Sequence, residues 1–342
     1  LQYGPSDADP QLLPRLIAWH EAKDGLALSP HGVAVLNGSQ EGLFIAAFLF
    51  LEEDDGVVVS EPTYPGALSA FTAFTKNFIA IPLDRNGMDT AHLETVLAER
   101  RADGARMPKL IYTIPSGHNP GGVALSDERR HHMLALAREY DLLVLEDDPY
   151  QLLRLDEKPA PPTLQSLDED GRVIRLDSFS KIFAPGLRVG YASGDPEIIR
   201  HFVLFKQCAN LHTGSLAQRV LSAYLDAATP EGFLAQIREK CGLYRTQRDA
   251  MVAAAREALP PEVRFNVPGE GLFIWFELPE ACDAGRMVEQ HSRDMKVLMV
   301  PGPAFSTQGG CRNCMRASFS MVDAEQIREG MARFGQMMRA DG

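Results

Sequence analysis

The sequence predicts an α/β fold: a mostly parallel central sheet with helices on both faces, followed by a small C-terminal α/β domain. Three observations predict it. From about residue 33 to 193, short runs that are apolar throughout recur along the chain. Segments with helical periodicity separate most of them. After Asp195 the alternation stops, and helices follow one another before a few short strands return. A strand that is apolar along its whole length needs cover on both faces, which crossover helices supply to a parallel sheet.

The first run is Val33–Leu36. Val57–Val59, Phe78–Ile81, Leu110–Thr113, Leu142–Leu145, Val173–Leu176 and Val189–Ala192 follow it. Most of their residues are aliphatic or aromatic, types that fit a pleated buried surface. Asp89–Arg101 and Asp127–Tyr140 carry the period of crossover helices. Beyond Asp195, Glu197–Cys208, Leu216–Leu225 and the long stretch Gly232–Ala258 read as helices. Arg264–Asn266, Leu272–Glu277, Val297–Met299 and Met315–Ser320 read as strands, with helices near Ala284–Arg293 and over Ala324–Met338. The division is expected near residue 235, with residues 1–235 in the larger unit and 236–342 in the smaller.

A chain of 342 residues is long enough for two such units. Its 46 acids outnumber 34 bases, the net charge is −12, and no cluster of Lys and Arg offsets the excess. Phosphate backbones need local positive charge, so nucleic acid is not expected as a partner. The longest apolar run, Leu43–Leu51, is too short to cross a bilayer, and no secretion signal is recognisable. Five cysteines, few and odd in number, speak against a disulfide framework and for a reducing cytosol. Cys311 and Cys314 form a lone C-x-x-C. Without a second ligand pair it reads as two thiols in a loop. Lys158–Pro162 is a Pro-rich loop.

Ligand sites in open α/β sheets form at the carboxyl ends of strands, so the residues after each run carry the chemistry. Ser178-Phe179-Ser180-Lys181 follows Val173–Leu176, with Arg188 further on. An amine beside hydroxyls and a guanidinium suits a Schiff base next to a phosphate, although a surface lysine in a polar loop has the same spelling. Glu146-Asp147-Asp148-Pro149-Tyr150 follows Leu142–Leu145. An acid buried there needs a cation such as a protonated ring nitrogen, and Tyr150 can donate to a ring oxygen; a plain acidic turn is the alternative. Gly38-Ser39-Gln40 precedes a helical run, where free N–H groups accept an anion, or where Ser39 is a simple cap. Glu61–Gly66 places Tyr64 at a strand end, to stack on a ring or to sit half-buried in a turn. Pro115–Gly122 holds Asn119 among prolines and glycines, and His118 reads as loop filling. Arg316, in the last strand, can aim its planar fork at a carboxylate, or lie on the surface.

Taken in order, these spellings resemble the fold-type-I pyridoxal-phosphate (PLP) enzymes over essentially the whole chain. Leu1-Gln2-Tyr3, Asn37-Gly38-Ser39-Gln40, the Asn119 loop, Glu146–Tyr150, Gly171–Lys181 and Arg316–Ser320 look most like the kynurenine/2-aminoadipate branch of the class I aminotransferases. The resemblance implies a transaminase that moves the α-amino group of an L-amino acid to a 2-oxo acid such as 2-oxoglutarate, with ping-pong kinetics. The donor would be of aromatic, 2-aminoadipate, kynurenine or branched type. Lys181 would be the Schiff-base lysine and proton shuttle. Asp147 would face the pyridine nitrogen, Asn119 and Tyr150 the ring oxygen, and Tyr64 the ring face. Ser39, Gln40, Ser178, Ser180 and Arg188 would hold the phosphate, and Arg316, with Asn119, the substrate carboxylate. Tyr3 would reach the phosphate of a neighbouring subunit, which implies a cytoplasmic homodimer with its active site at the subunit interface.

The family also carries an N-terminal segment before the position of Leu1, absent from this sequence, that helps cover the substrate. The same fold serves other PLP reactions and the effector domains of winged-helix regulators. The Asn119-Pro120-Gly121-Gly122 and Glu146–Tyr150 spellings look like the enzymes.

Overall fold

Successive residues of a strand point to opposite faces, so a run that is apolar throughout is buried on both. The computed structural model describes residues 2–341; Leu1, first in the Leu1-Gln2-Tyr3 spelling, lies outside the described residues. Helix α1 (Leu12–Asp24) precedes β1 (Val33–Leu36), and α2 (Ser39–Phe50), β2 (Gly56–Glu61), α3 (Pro65–Thr72), β3 (Phe78–Asp84), β4 (Gly87–Met88) and α4 (Thr90–Ala102) follow. Next come β5 (Pro108–Thr113), α5 (Asp127–Glu139), β6 (Leu143–Asp147), α6 (Leu164–Leu167), β7 (Val173–Ser178) and β8 (Gly190–Ser193). These strands form one sheet in the order β1-β8-β7-β6-β5-β2-β3-β4.

The sheet is mostly parallel: β3, β2, β5, β6 and β7 run together, while β8 runs against both β7 and β1 and β4 closes a hairpin on β3. Alternation along each strand feeds two cores. Val57, Val59, Leu110, Leu145 and Ile174 enter one, and Val58, Ile111, Val144 and Val173 enter the other. Leu93 and Leu97 of α4 and Met133 and Leu136 of α5 close the second core. Each such side chain contributes about 1.5–3 kcal/mol on burial, whereas the buried Arg175 of β7 is accepted only among carboxylates that neutralise it.

From β2 the chain steps to β3 on one side and later returns to β5 on the other. This reversal opens a crevice at the carboxyl ends of the central strands.

Helices α7 (Pro196–Ala209), α8 (Ser215–Ala228) and α9 (Pro230–Ala258) follow. An antiparallel sheet then forms from β9 (Arg264–Phe265), β10 (Phe273–Glu277), β11 (Val300–Pro301) and β12 (Cys314–Ser318), in the order β11-β12-β10-β9, with α10 (Ala284–Met295) and α11 (Ala324–Asp341) beside it. The strand expected at Val297–Met299 lies instead at Val300–Pro301, where Val300 pairs with Arg316. Val297 and Met299 are buried but unpaired in the ladder, so their apolar character reflects packing and not strand pairing.

Residue 235 lies inside α9. The first turns of that helix bury Phe233 against Trp19 of α1, and its later length packs along α11. We propose that the two units share this helix and pass into one another along it.

Candidate active site

The loops at the carboxyl strand ends, together with β12, bring their polar groups to a common cavity of about 390 Å³. Ser39, Gln40, Tyr64, Asn119, Asp147, Tyr150, Ser178, Ser180, Lys181, Arg188 and Arg316 all line it. Tyr3 does not. Its ring is 78% exposed and stands edge-on to His212.

One end of the cavity is built for an anion. Helix α2 begins at Ser39 with no side-chain cap, because Gly38 occupies the cap position at φ +76, which glycine adopts without strain. A Cβ at Gly38 would collide with the Arg188 guanidinium, so the absent side chain leaves room for that cation. Arg188 Nη1 donates to Ser180 Oγ (3.2 Å), and Ser178 Oγ accepts from the Ser180 amide (3.2 Å). Gln40 contributes differently from the other hydroxyl and amide groups. Its Nε2 donates to the Gly66 carbonyl (2.7 Å) and its Oε1 accepts from Tyr64 (3.3 Å), which leaves its backbone N–H at the helix start to face an anion. The same bond fixes the Tyr64 ring at the cavity wall.

Asp147 ends β6 and is fully buried. Its Oδ2 accepts a hydrogen bond from Tyr112 (2.9 Å), and its Oδ1 has no partner. Burial pushes its pKa up to about 7 against the opposing Tyr112 hydrogen bond. Lys181 is held below the usual lysine range, first by burial and then by the Arg316 and Arg188 charges. Burial and the nearby Asp147 charge raise Tyr150, so the phenol keeps its proton and can donate.

On the opposite wall, Arg316 Nη1 donates to Asn119 Oδ1 (2.8 Å). Its guanidinium lies over the rings of Phe273 (4.3 Å) and Phe305 (5.1 Å), an arrangement that holds the planar fork in place.

Several neighbours of these residues carried no sequence signal. Tyr112 reads as core within the run Leu110–Thr113, and Phe273 and Phe305 as ordinary strand and loop aromatics. His118 does more than fill the loop. Its Nδ1 accepts from the Gly121 amide (3.2 Å), so Nε2 carries the hydrogen that Ser60 Oγ accepts (2.8 Å). Burial lowers its pKa to about 3 and keeps it neutral. This brace steadies the loop that presents Asn119.

The residues present fit pyridoxal phosphate. The orphaned Asp147 oxygen calls for a cationic hydrogen-bond donor, the Gly38 cradle for an anion, and Lys181 lies in the same cavity as both. Among the described residues no cluster of His, Cys, Asp and Glu could hold a metal ion.

Comparison with known proteins agrees. The family model "Aminotransferase class I and II" matches residues 1–334. Aromatic-amino-acid aminotransferase 1 of Thermococcus litoralis is 36% identical over 100% of this chain and 80% of its own length. The mitochondrial kynurenine/alpha-aminoadipate aminotransferase of Rattus norvegicus is 36% identical over 99% of this chain and 83% of its own. The crystal structure of Pyrococcus horikoshii kynurenine aminotransferase in complex with PMP superposes with a TM-score of 0.93 at 38% identity, covering 99% of this chain and 82% of that one. These named relatives are enzymes and not regulators. The chain therefore belongs to the class I and II aminotransferases, in the branch of the kynurenine and 2-aminoadipate enzymes, and is a pyridoxal-phosphate-dependent transaminase.

Proposed function

We propose that this transaminase takes its amino group from an L-amino acid of aromatic, kynurenine, 2-aminoadipate or branched type and gives it to a 2-oxo acid such as 2-oxoglutarate. The observation that carries this reading is Arg316, pinned by Asn119 and two aromatic rings across the cavity from Lys181. A fixed planar fork binds a carboxylate through two bonds and sets the orientation of the α-carbon.

Bound pyridoxal phosphate supplies an aldehyde for the amino group and a protonated ring that withdraws electrons. The chain's own residues do the rest. Ser39 and Gln40 at the start of α2, with Ser178, Ser180 and Arg188, hold the phosphate. Asp147 keeps its carboxylate opposite the ring nitrogen, where a cation reverses the effect of burial. Asn119 and Tyr150 would donate to the ring oxygen, and Tyr64 would lie against the ring. Lys181 Nζ, its basicity lowered by burial and two arginines, would take the proton from the substrate α-carbon and hold it for return. The second half-reaction runs these steps backwards with the 2-oxo acid, which makes the kinetics ping-pong. Ile114, Phe273 and Tyr64 give the cavity apolar and aromatic walls, which supports an aromatic or branched donor.

The reading extends to a homodimer in the cytosol. Phe44 and Phe48 of α2 are 42% and 53% exposed, and their rings meet those of Phe74 and Phe205, an apolar face of the kind that subunits cover. The exposed Tyr3 ring lies where a second copy can meet it, and no described helix is long and apolar enough to cross a membrane.

The test is an absorption spectrum of the PLP-loaded protein before and after a panel of L-amino acids. One or more members should bleach the visible band and give the pyridoxamine form. A band that ignores every amino acid would contradict the proposed substrate role of Arg316.

A further inference from the structure

The C-x-x-C pair takes no part in the chemistry above, yet the fold brings its two thiols together. Cys311-Arg312-Asn313-Cys314 is a turn closed by the Cys314 amide donating to the Cys311 carbonyl (3.0 Å). Cys311 stands at φ +53, a left-handed conformation few non-glycine residues adopt. Both side chains press on one spot. A Cβ built on Gly302 would lie 2.9 Å from Cys314 Cβ and 3.0 Å from Cys311 Cβ, and it would overlap the Cys311 carbonyl. The two Cβ atoms are therefore at most roughly 6 Å apart, within a small adjustment of the ~4 Å that a disulfide needs. Glycine at 302 is what admits the turn this closely. The sulfurs share a small apolar cluster with Trp275 and Phe305, where Cys314 is buried and Cys311 half-buried at its edge. A hydrogen bond from Cys314 lowers the Cys311 thiol below its usual range and makes it the better nucleophile of the two. Two thiols without further ligands do not make a zinc site.

We propose that Cys311 and Cys314 form a reversible dithiol–disulfide site, oxidised by a small-molecule disulfide of the glutathione type. Cys311 Sγ, as thiolate, attacks one sulfur of the oxidant, forming a mixed disulfide and releasing one thiolate. Cys314 Sγ then attacks Cys311 Sγ, closing the protein disulfide and releasing the second thiolate. Two protein thiols are oxidised, one disulfide is reduced to two thiols, and the two protons go to the departing thiolates. The site lies two residues before Arg316 on β12 and against Gly302–Phe305, so it sits at the carboxylate-binding wall of the cavity.

Trypsin makes the test direct, because Arg312 separates the two cysteines. The folded, PLP-loaded protein is treated with oxidised glutathione, quenched, digested without reduction and analysed by mass spectrometry. The expected product is peptide 297–312 cross-linked to peptide 313–316, lost after treatment with reduced glutathione and absent from the Cys311→Ser protein. The Cys314→Ser protein should instead keep one glutathione on Cys311. The exposed Cys208 serves as the internal control for reaction. If Cys208 is modified while Cys311 and Cys314 stay unlinked, or if they link only after denaturation, the proposal is overturned.

Discussion

Two buried carboxylates on neighbouring strands of this sheet meet opposite fates. Asp177 on β7 lies beside Arg175, whose Nε is 2.9 Å from its Oδ2, and beside Lys23, whose Nζ is 3.1 Å from its Oδ1. Burial pushes Asp177 up, but those two cations outweigh it and hold the group far below the usual carboxylate range. Asp147 on β6 is buried as deeply, has only the Tyr112 hydroxyl, and rises to about 7. Flanking Asp147 in sequence, Glu146 and Asp148 also turn to Arg175, at 3.1 and 3.5 Å, although burial still holds Asp148 up at about 7 against that charge. The difference teaches that burial alone does not define a functional acid. Around Arg175 the protein supplies its own counter-charges, whereas no ion pair reaches Asp147 among the described residues and its Oδ1 has no hydrogen-bond partner, which supports the proposed cofactor role.

Exchanging the charge at each site breaks the comparison most strongly. Asp147→Asn is expected to lower kcat roughly 10²–10³-fold, the range for removing one preorganised electrostatic partner, while the thermal midpoint of the PLP-free protein stays the same or rises. Asp177→Asn is expected to do the reverse. It strands Arg175 and Lys23 among fewer acids and costs about 3–5 kcal/mol of stability, with kcat of the folded fraction kept within about tenfold. Steady-state kinetics and thermal melts on both proteins check the crossing. Equal losses in both quantities for both variants would erase the distinction.

The pH dependence sharpens it. Without cofactor, folded Asp147 keeps its proton up to about pH 7, whereas the unfolded chain releases it near pH 4. Between those values the folded state binds more protons, so the stability that this group contributes is lost as pH rises through that window. A cation opposite Asp147 removes this loss. The gain in thermal midpoint on adding saturating PLP should therefore grow between pH 5 and 7, and in Asp147→Asn it should be nearly flat.

The smallest expected effect belongs to Tyr112→Phe. Removing the single donor to Asp147 should raise that carboxyl further and move the acid limb of the pH–kcat/KM profile up by about one unit, equivalent to about 1.4 kcal/mol. A lower rate at every pH with an unmoved limb would make Tyr112 a packing residue only.

The sequence by itself determined the layered fold and the loops of the site. Largely apolar runs at β2, β5, β6 and β7 demand cover on two faces, and the polar residues that follow them lie at strand ends. Local spelling was enough to place Lys181, Asp147, Asn119 and Arg188 around one cavity. It could not place the strand at Val300, since Val297 and Met299 are as apolar as any paired residue. Nor could it separate Glu146 and Asp148 from Asp147, set Tyr112 against the carboxylate, or lay Arg316 between Phe273 and Phe305. Those relations were decided only by the tertiary structure. Period and turn chemistry are written along the chain, but which side chain faces which depends on register between strands far apart in sequence, and that register is fixed by the packing of the whole sheet.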